Sequence, residues 1–259
     1  MTNVPDQATR TVGIIFDFHG TGGTPAAEEA FSHLGERGRA VGFVVVQPQA
    51  LGTPAHWTVP GITGPDDGAL VASLTAKVRD ALCLPDVPTF ATGLSAGAGM
   101  SSALACAGTV RAAAPVAGVA LVRRCPDGPR VSMLTFHGTA DQAVPFNGAP
   151  GWEQKETQPR GFFVGAVTPI MESWAARNGC SPMPVSTPIG SETLRITWPD
   201  CQDGVQTVMY RIEGGGHNQP GTQAQIDALG LNAMIGPSTD DIDATTVILD
   251  FFGQSVTHG

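Results

Sequence analysis

Short runs of β-branched and aromatic residues alternate along this chain with stretches of small residues at helical spacing, a rhythm that predicts strands and helices in turn. Thr11 to Phe18 reads as a strand that ends at His19-Gly20-Thr21-Gly22-Gly23. Pro25 to Arg39 follows as one helix with Ala26, Ala30, Phe31 and Leu34 on its apolar face. Val41 to Val46 is a second strand, bounded by Gln47-Pro48. Asp66 to Leu82 is helical, with Asp66 or Asp67 as N-cap and Leu70, Val71, Leu74, Val78 and Leu82 facing inward. A strand over Pro88 to Thr92 enters Gly93, and a helix of small residues runs from Ala96 to Ala107. Ala112 to Val119, Ser132 to Phe136 and Val205 to Ile212 supply further strands, and Ala244 to Phe252 closes the chain as a helix. This alternation predicts an α/β fold: a mostly parallel sheet with helices on both faces. Residues 1–259 are expected to form a single domain, the first ten a tail. In such folds, sites gather at the carboxyl ends of the strands.

Composition narrows the class. Of 259 residues, 42% are apolar and 14% charged, with a formal net charge of −9. Lysine occurs only at 77 and 155, and the arginines are scattered. No basic stripe exists to displace counterions from a nucleic acid, and no polybasic anchor for anionic lipid. The longest apolar run, Ala112 to Val122, is too short to span a bilayer and contains Pro115 and Gly118. Neither nucleic acid nor membrane is an expected partner. The opening Met-Thr-Asn-Val-Pro-Asp-Gln has no basic leader and no apolar h-region, so no signal peptide is visible. The chain is then either cytoplasmic or a mature form with an added Met. Five cysteines leave at least one unpaired within the chain.

Gly93-Leu94-Ser95-Ala96-Gly97 matches G-x-S-x-G, the strand-to-helix turn that lifts a serine above the sheet of an α/β-hydrolase. Roughly 0.2 chance matches are expected at this glycine and serine content, so the weight lies in the strand before it and the helix after. A serine hydroxyl needs a base to take its proton. Six histidines compete. His33 lies in a helix, His258 in the terminal tail, His56 in a loop, and His19 and His137 precede glycines at strand ends. His217 follows Gly214-Gly215-Gly216 after the last strand, the chain position this fold uses for its base. The acid should lie between nucleophile and base. Asp141, in His137-Gly138-Thr139-Ala140-Asp141 just past a strand, meets that order. Asp127 would fall at the wrong edge of the sheet, and Glu172 and Glu192 in less regular segments. Two backbone N–H groups should receive the oxyanion: Ala96, after the nucleophile, and Thr21 in the glycine-rich loop, with Gly20 in reserve. That loop lacks the Lys-Ser/Thr end of a phosphate cradle.

As a set these residues resemble the polyhydroxybutyrate-depolymerase and feruloyl-esterase group of α/β-hydrolases. The landmarks are His19-Gly20, Trp57 before Asp66-Asp67, the Ser95 turn, Ala114-Pro115-Val116-Ala117-Gly118, His137 to Asp141, Trp174-Ala175 with Asn178-Gly179-Cys180, and Gly214 to His217. The resemblance runs from about Val12 to Pro220. It implies a secreted serine esterase without cofactor, acting on plant cell-wall esters or on polyesters. A monomer without metal is expected, with Gly20 beside the substrate and Trp57, in a loop after a strand end, either flanking the cleft or lying in the core. The chain departs from the group in three ways. Asn218-Gln219 replace the usual Thr-Trp, Thr21 stands where Cys is common, and the chain begins near Val4-Pro5, where a second strand would be finishing. The last implies either missing edge strands or a trimmed chain. The group's extracellular habit implies a Cys180–Cys201 bridge, with Cys106 meeting either Cys83 or Cys125. Five buried thiols in a cytoplasmic enzyme are the alternative.

The short link from Val119 to Ser132 leaves no room for a long lid, which predicts an open site. Two other functions remain: a peptidase or amidase of the same fold, and a non-catalytic binding protein. The second usually loses one of the three residues that this chain retains in order.

Overall fold

The computed structural model describes all residues except 7–9, 59–65, 85, 126, 157–162 and 258–259. His258 therefore lies outside the described residues. The strands are β1 (Thr2–Asn3), β2 (Gly13–Phe18), β3 (Phe43–Val46), β4 (Thr89–Leu94), β5 (Ala112–Val116), β6 (Ser132–Gly138), β7 (Val185–Pro188), β8 (Thr193–Trp198) and β9 (Thr207–Ile212). The helices are α1 (Pro25–Ser32), α2 (Leu34–Ala40), α3 (Asp67–Ala81), α4 (Ala96–Cys106), α5 (Trp152–Glu156), α6 (Val167–Arg177), α7 (Gln223–Ala228), α8 (Asn232–Ile235) and α9 (Ala244–Thr257).

All nine described strands join one sheet in the order β1-β3-β2-β4-β5-β6-β9-β8-β7. From β3 through β9 every neighbouring pair is parallel. The two edges are antiparallel. Side chains alternate across the pleat. Ile14, Phe16, Ala91, Met133 and Met209 meet Val71, Met100, Ile170 and Trp174 from α3, α4 and α6. Ile15, Phe90, Ala114, Phe136 and Tyr210 meet Leu34, Ile248 and Phe252 from α2 and α9. Small residues dominate β5 and α4, which lets helix and sheet approach closely at the centre.

Three expectations need correction, and two strands escaped the pattern. The first residues are not merely a tail, because Thr2 and Asn3 pair with Val46 and Val45 and extend the sheet beyond β3. β7 and β8 escape the hydrophobic pattern: β7 is exposed throughout and β8 only half-buried, so neither shows a clean two-residue alternation. Glu172 lies within α6 rather than in a less regular segment. The helix expected over 25–39 breaks at His33, which adopts a left-handed φ of 48°.

That break has a polar cause. Ala26 and Ala30 are exposed, while Glu28 and Ser32 are buried. Ser32 Oγ donates to Asp17 Oδ2 (3.2 Å) and accepts from the Leu34 N–H (3.2 Å), starting a new helix. Asp17 also accepts from Gln47 Nε2 (2.9 Å), which reaches Glu29 as well (2.8 Å). Strand β2 thus points a carboxylate, not an apolar side chain, at the helix pair.

Both disulfides join helix ends to loops. Cys180 pairs with Cys201 and Cys106 with Cys125, while Cys83 is free and exposed. The choice of Cys125 over Cys83 follows from Arg177, whose guanidinium donates to the carbonyls of Cys106 (3.2 Å) and Pro129 (2.6 Å). It draws the end of α4 against the segment that carries Cys125. Among the described residues no helix is long and apolar enough to cross a membrane.

Burial pushes the Asp17 carboxyl up to about 6 against the pull of its Gln47 and Ser32 hydrogen bonds, and burial beside Asp17 raises Glu28 too. A raised carboxyl keeps its proton in the folded chain at a pH where the unfolded chain has released it. Its stabilisation is full below the unfolded value of 3.8 and is lost as pH rises through about 6. Asp17→Asn keeps an acceptor and removes the charge. It should raise Tm at pH 8 by about 2–6 °C, with the gain shrinking toward pH 5. Thermal melts at both pH values check this, and equal Tm at pH 8 would contradict it.

Candidate active site

Strand β4 turns into helix α4 at Ser95, held at φ 59° and ψ −118°. A non-glycine residue in that conformation costs about 1–3 kcal/mol. Packing around the turn offsets it. A Cβ at Gly93 would lie 2.3 Å from the Phe18 carbonyl oxygen, and one at Gly97 only 1.8 Å from the same atom. Both glycines are therefore required by the end of β2, the collision the motif anticipates. The Ser95 N–H bonds to Val116 O (3.0 Å), and the Ser95 carbonyl accepts from the Gly99 N–H (3.0 Å). Gly118 packs in as well, since a Cβ there would lie 2.3 Å from Ser95 O. Ser95 and Ala96 stay half-exposed at the carboxyl edge of the sheet.

Beyond β2, the loop from His19 to Gly23 lies against this turn: a Cβ at Gly20 would touch Ser95 Cβ at 3.4 Å. The His19 ring braces the loop. Its Nε2 accepts from the Ala50 N–H (3.1 Å), so Nδ1 carries the proton and donates to Gly20 O (2.7 Å). The Gly22 N–H is tied to Ala55 O (2.7 Å) and the Gly23 N–H to Gly20 O (3.0 Å). No backbone carbonyl among the described residues takes the Thr21 N–H. Ala96 opens α4, so its N–H has no partner within the helix.

Trp57 does not line a cleft. It is 5% exposed, packs on Phe18 and His19, and donates its indole N–H to His19 O (2.8 Å). Burying an indole requires a partner for its N–H, and here that partner is the loop itself. Through this bond Trp57 braces the loop.

Asp141 and His217 come together across two loops. The Thr139 N–H bonds to Ile212 O (2.8 Å), the Ala140 N–H to Gly215 O (3.0 Å), and the Gly214 N–H to Thr139 Oγ1 (2.8 Å). Gly138 must lack a side chain, because a Cβ would sit 2.1 Å from Gly215 O. So joined, Asp141 Oδ2 lies 2.7 Å from His217 Nδ1. Its Oδ1 accepts from the N–H groups of Ala143 (2.9 Å) and Val144 (2.8 Å). Burial alone would raise this carboxyl. Hydrogen bonds from His137 and His217, the electrostatic pull of the His217 ring and the Val144 N–H outweigh burial and hold it well below the usual carboxylate range. An ionised Asp141 fixes the His217 proton on Nδ1 and leaves Nε2 as the free base. Among the described residues Asp141 and His217 are in contact, and no hydrogen bond joins Ser95 Oγ to His217.

Two residues read from the sequence as a strand-end histidine and as a departure from the group hold further contacts here. His137 is fully buried beside Asp141, and its spacing of four residues from Asp141 was the available signal. Asn218 replaces the usual Thr and clamps the segment that carries α7 and α8. Its Nδ2 reaches the carbonyls of Gly236 (3.1 Å) and Pro237 (2.9 Å), beside the His217 N–H to Ile235 O bond (2.5 Å). No sequence rule signals that clamp. Among the described residues no cluster of three or more His, Cys, Asp or Glu side chains is placed to hold a metal ion.

Fold and relatives together define a carboxylic-ester hydrolase of the α/β-hydrolase class. No protein-family model matches the chain. An acetyl xylan esterase from Aspergillus awamori superposes with a TM-score of 0.62 at 18% identity, over 88% of this chain and 92% of that one. Thermogutta terrifontis esterase 2, phosphoramylated by tabun, gives 0.55 at 16% identity, over 98% and 88%. These structures establish the fold. Among curated proteins, a probable feruloyl esterase C of Aspergillus flavus is 31% identical over 227 residues, 83% of this chain and 74% of that protein. Feruloyl esterase C of Emericella nidulans is 28% identical over 215 residues, covering 79% and 70%. The chain belongs to the feruloyl esterase C family.

Trp57→Phe keeps the ring packing and removes the bond to His19 O. A hydrogen bond of about 1 kcal/mol that holds the Thr21 loop should cost about fivefold in kcat on p-nitrophenyl acetate, with KM little changed. Steady-state kinetics decide, and an unchanged kcat would detach Trp57 from the loop's role.

Proposed function

We propose that this protein hydrolyses hydroxycinnamoyl (feruloyl-type) esters of plant cell walls through an acyl-enzyme, with Ser95 as nucleophile, His217 as base and Asp141 as orienting acid. The observation that carries this reading is the 2.7 Å contact between His217 Nδ1 and an ionised, doubly N–H-bonded Asp141. Ser95 Oγ attacks the ester carbonyl as His217 Nε2 takes its proton. The N–H groups of Ala96 and Thr21 receive the oxyanion. His217 then returns the proton to the departing alkoxide, which leaves as the alcohol. Water repeats the sequence in reverse and frees the acid.

The relatives' name supports the feruloyl substrate. Exposed apolar Leu229 and Met234, on the segment clamped beside His217, support an ester with apolar bulk. The two disulfides are compatible with an oxidising compartment, which supports secretion. The short link after Val119 supports an open mouth.

Methyl ferulate, p-nitrophenyl acyl esters and a polyester film are the assay panel, with Ser95→Ala as control. Wild type should prefer methyl ferulate, and the variant should keep only a residue of activity, down by about 10³-fold or more. Turnover of the film above ferulate would move the substrate to polyesters. Equal turnover by both proteins would remove Ser95 from the chemistry. Since Asp141 stays ionised across the working range, a single imidazole should govern the acid limb. A plot of log kcat/KM against pH should therefore fall with unit slope on acidification, and a slope of two would contradict the assignment.

A further inference from the structure

His137 is the penultimate residue of strand β6, four residues before Asp141, is 1% exposed, and has no part in the acyl transfer described above. Its Nε2 lies 2.8 Å from the Val144 carbonyl and 3.4 Å from Asp141 Oδ2. Both neighbours are acceptors only, so Nε2 carries the proton. Nδ1 has no partner. A second proton there would leave an unpaired N–H in a wall where Phe146 meets the ring edge-on, its centroid 5.9 Å away. The proton of the ring therefore sits on Nε2.

We propose that His137 is a positioning residue: its Nε2–H, hydrogen-bonded to the Val144 carbonyl, also faces Asp141 Oδ2 at 3.4 Å as the longer arm of a shared contact, and so holds that oxygen in the direction of His217. The inference rests on reading Asp141 and His217 as acid and base. Each carboxylate oxygen has two acceptor sites. Oδ1 is filled by the Ala143 and Val144 N–H groups, and Oδ2 has one bond from His217. That bond belongs to a ring whose charge changes in every cycle. The His137 proton fills the remaining site with a donor that takes no part in the cycle. It keeps Oδ2 in place while His217 passes between imidazole and imidazolium. Val144 closes the arrangement from both sides: its N–H holds Oδ1 and its carbonyl holds the His137 proton that reaches Oδ2.

The amide nitrogen of glutamine reaches the place of an imidazole Nε2, whereas that of asparagine falls near Nδ1. His137→Phe and His137→Asn should lower kcat by about 10- to 100-fold with KM within about twofold, and His137→Gln should recover most of the loss. Ser95→Ala run alongside tests the parent reading, because turnover that persists without Ser95 defeats that reading and not this one. Nitrogen-15 spectra of histidine-labelled wild type at neutral pH give an independent readout that needs no folded variant. They should show a buried neutral ring protonated at Nε2. A folded His137→Phe with wild-type kcat, equal loss in all three variants, or a buried ring protonated at Nδ1 would each overturn the proposal.

Discussion

The carbonyl oxygen of Phe18, at the end of β2, is the point against which the centre of the molecule is packed. Gly93 and Gly97 both lie so close to it that neither has room for a single added carbon. This contact sets how near α4 comes to the sheet, and hence how sharply the chain turns at Ser95. The strained φ of Ser95 is held because Val116 and Gly99 bond its backbone and Gly118 packs against its carbonyl. The small side chains of α4 have the same origin: alanine, glycine and serine at most of its positions let a helix press this tightly against a sheet.

The His19–Gly23 loop continues directly from Phe18, so the contact that shapes the turn also brings the glycine-rich loop beside Ser95. Polar anchors then hold that loop from behind. Trp57 takes the His19 carbonyl, His19 Nε2 takes the Ala50 N–H, and Ala55 takes the Gly22 N–H. Among the described residues these anchors leave the Thr21 N–H without a backbone partner. On the other side of the sheet centre, β6 and β9 are paired through Gly138↔Ile212, and their loops are stitched by short backbone bonds. Asp141 and His217 meet because those two strands are neighbours, although 76 residues separate them.

The structure accepts buried charge in two places with opposite results. At Asp141, four donors surround the carboxylate and keep it ionised. At Asp17, the donors are two neutral side chains and the neighbours include other carboxylates, so burial wins and the group holds its proton to about 6. The difference lies in the number and kind of donors, since both groups are almost fully shielded from water.

Local patterns in the chain determined the parallel core of the sheet, the turn at Ser95 and the order of Ser95, Asp141 and His217, because each rests on short-range physics: side-chain alternation, backbone sterics at glycine, and strand-to-helix punctuation. Tertiary structure alone decided the rest. The break at His33 comes from Asp17 and Gln47, partners that lie outside the helix pair. The edge strands β7 and β8 form by pairing with β9 rather than by any apolar pattern of their own. Cys106 met Cys125 because Arg177, about 70 residues away, binds both neighbouring carbonyl segments. Trp57 went beneath the loop because its N–H needed an acceptor, and His137 gained a partner in Asp141 because a loop folded back on its own strand. In each case the deciding contact joins residues far apart in sequence or folded back in space, where periodicity carries no signal.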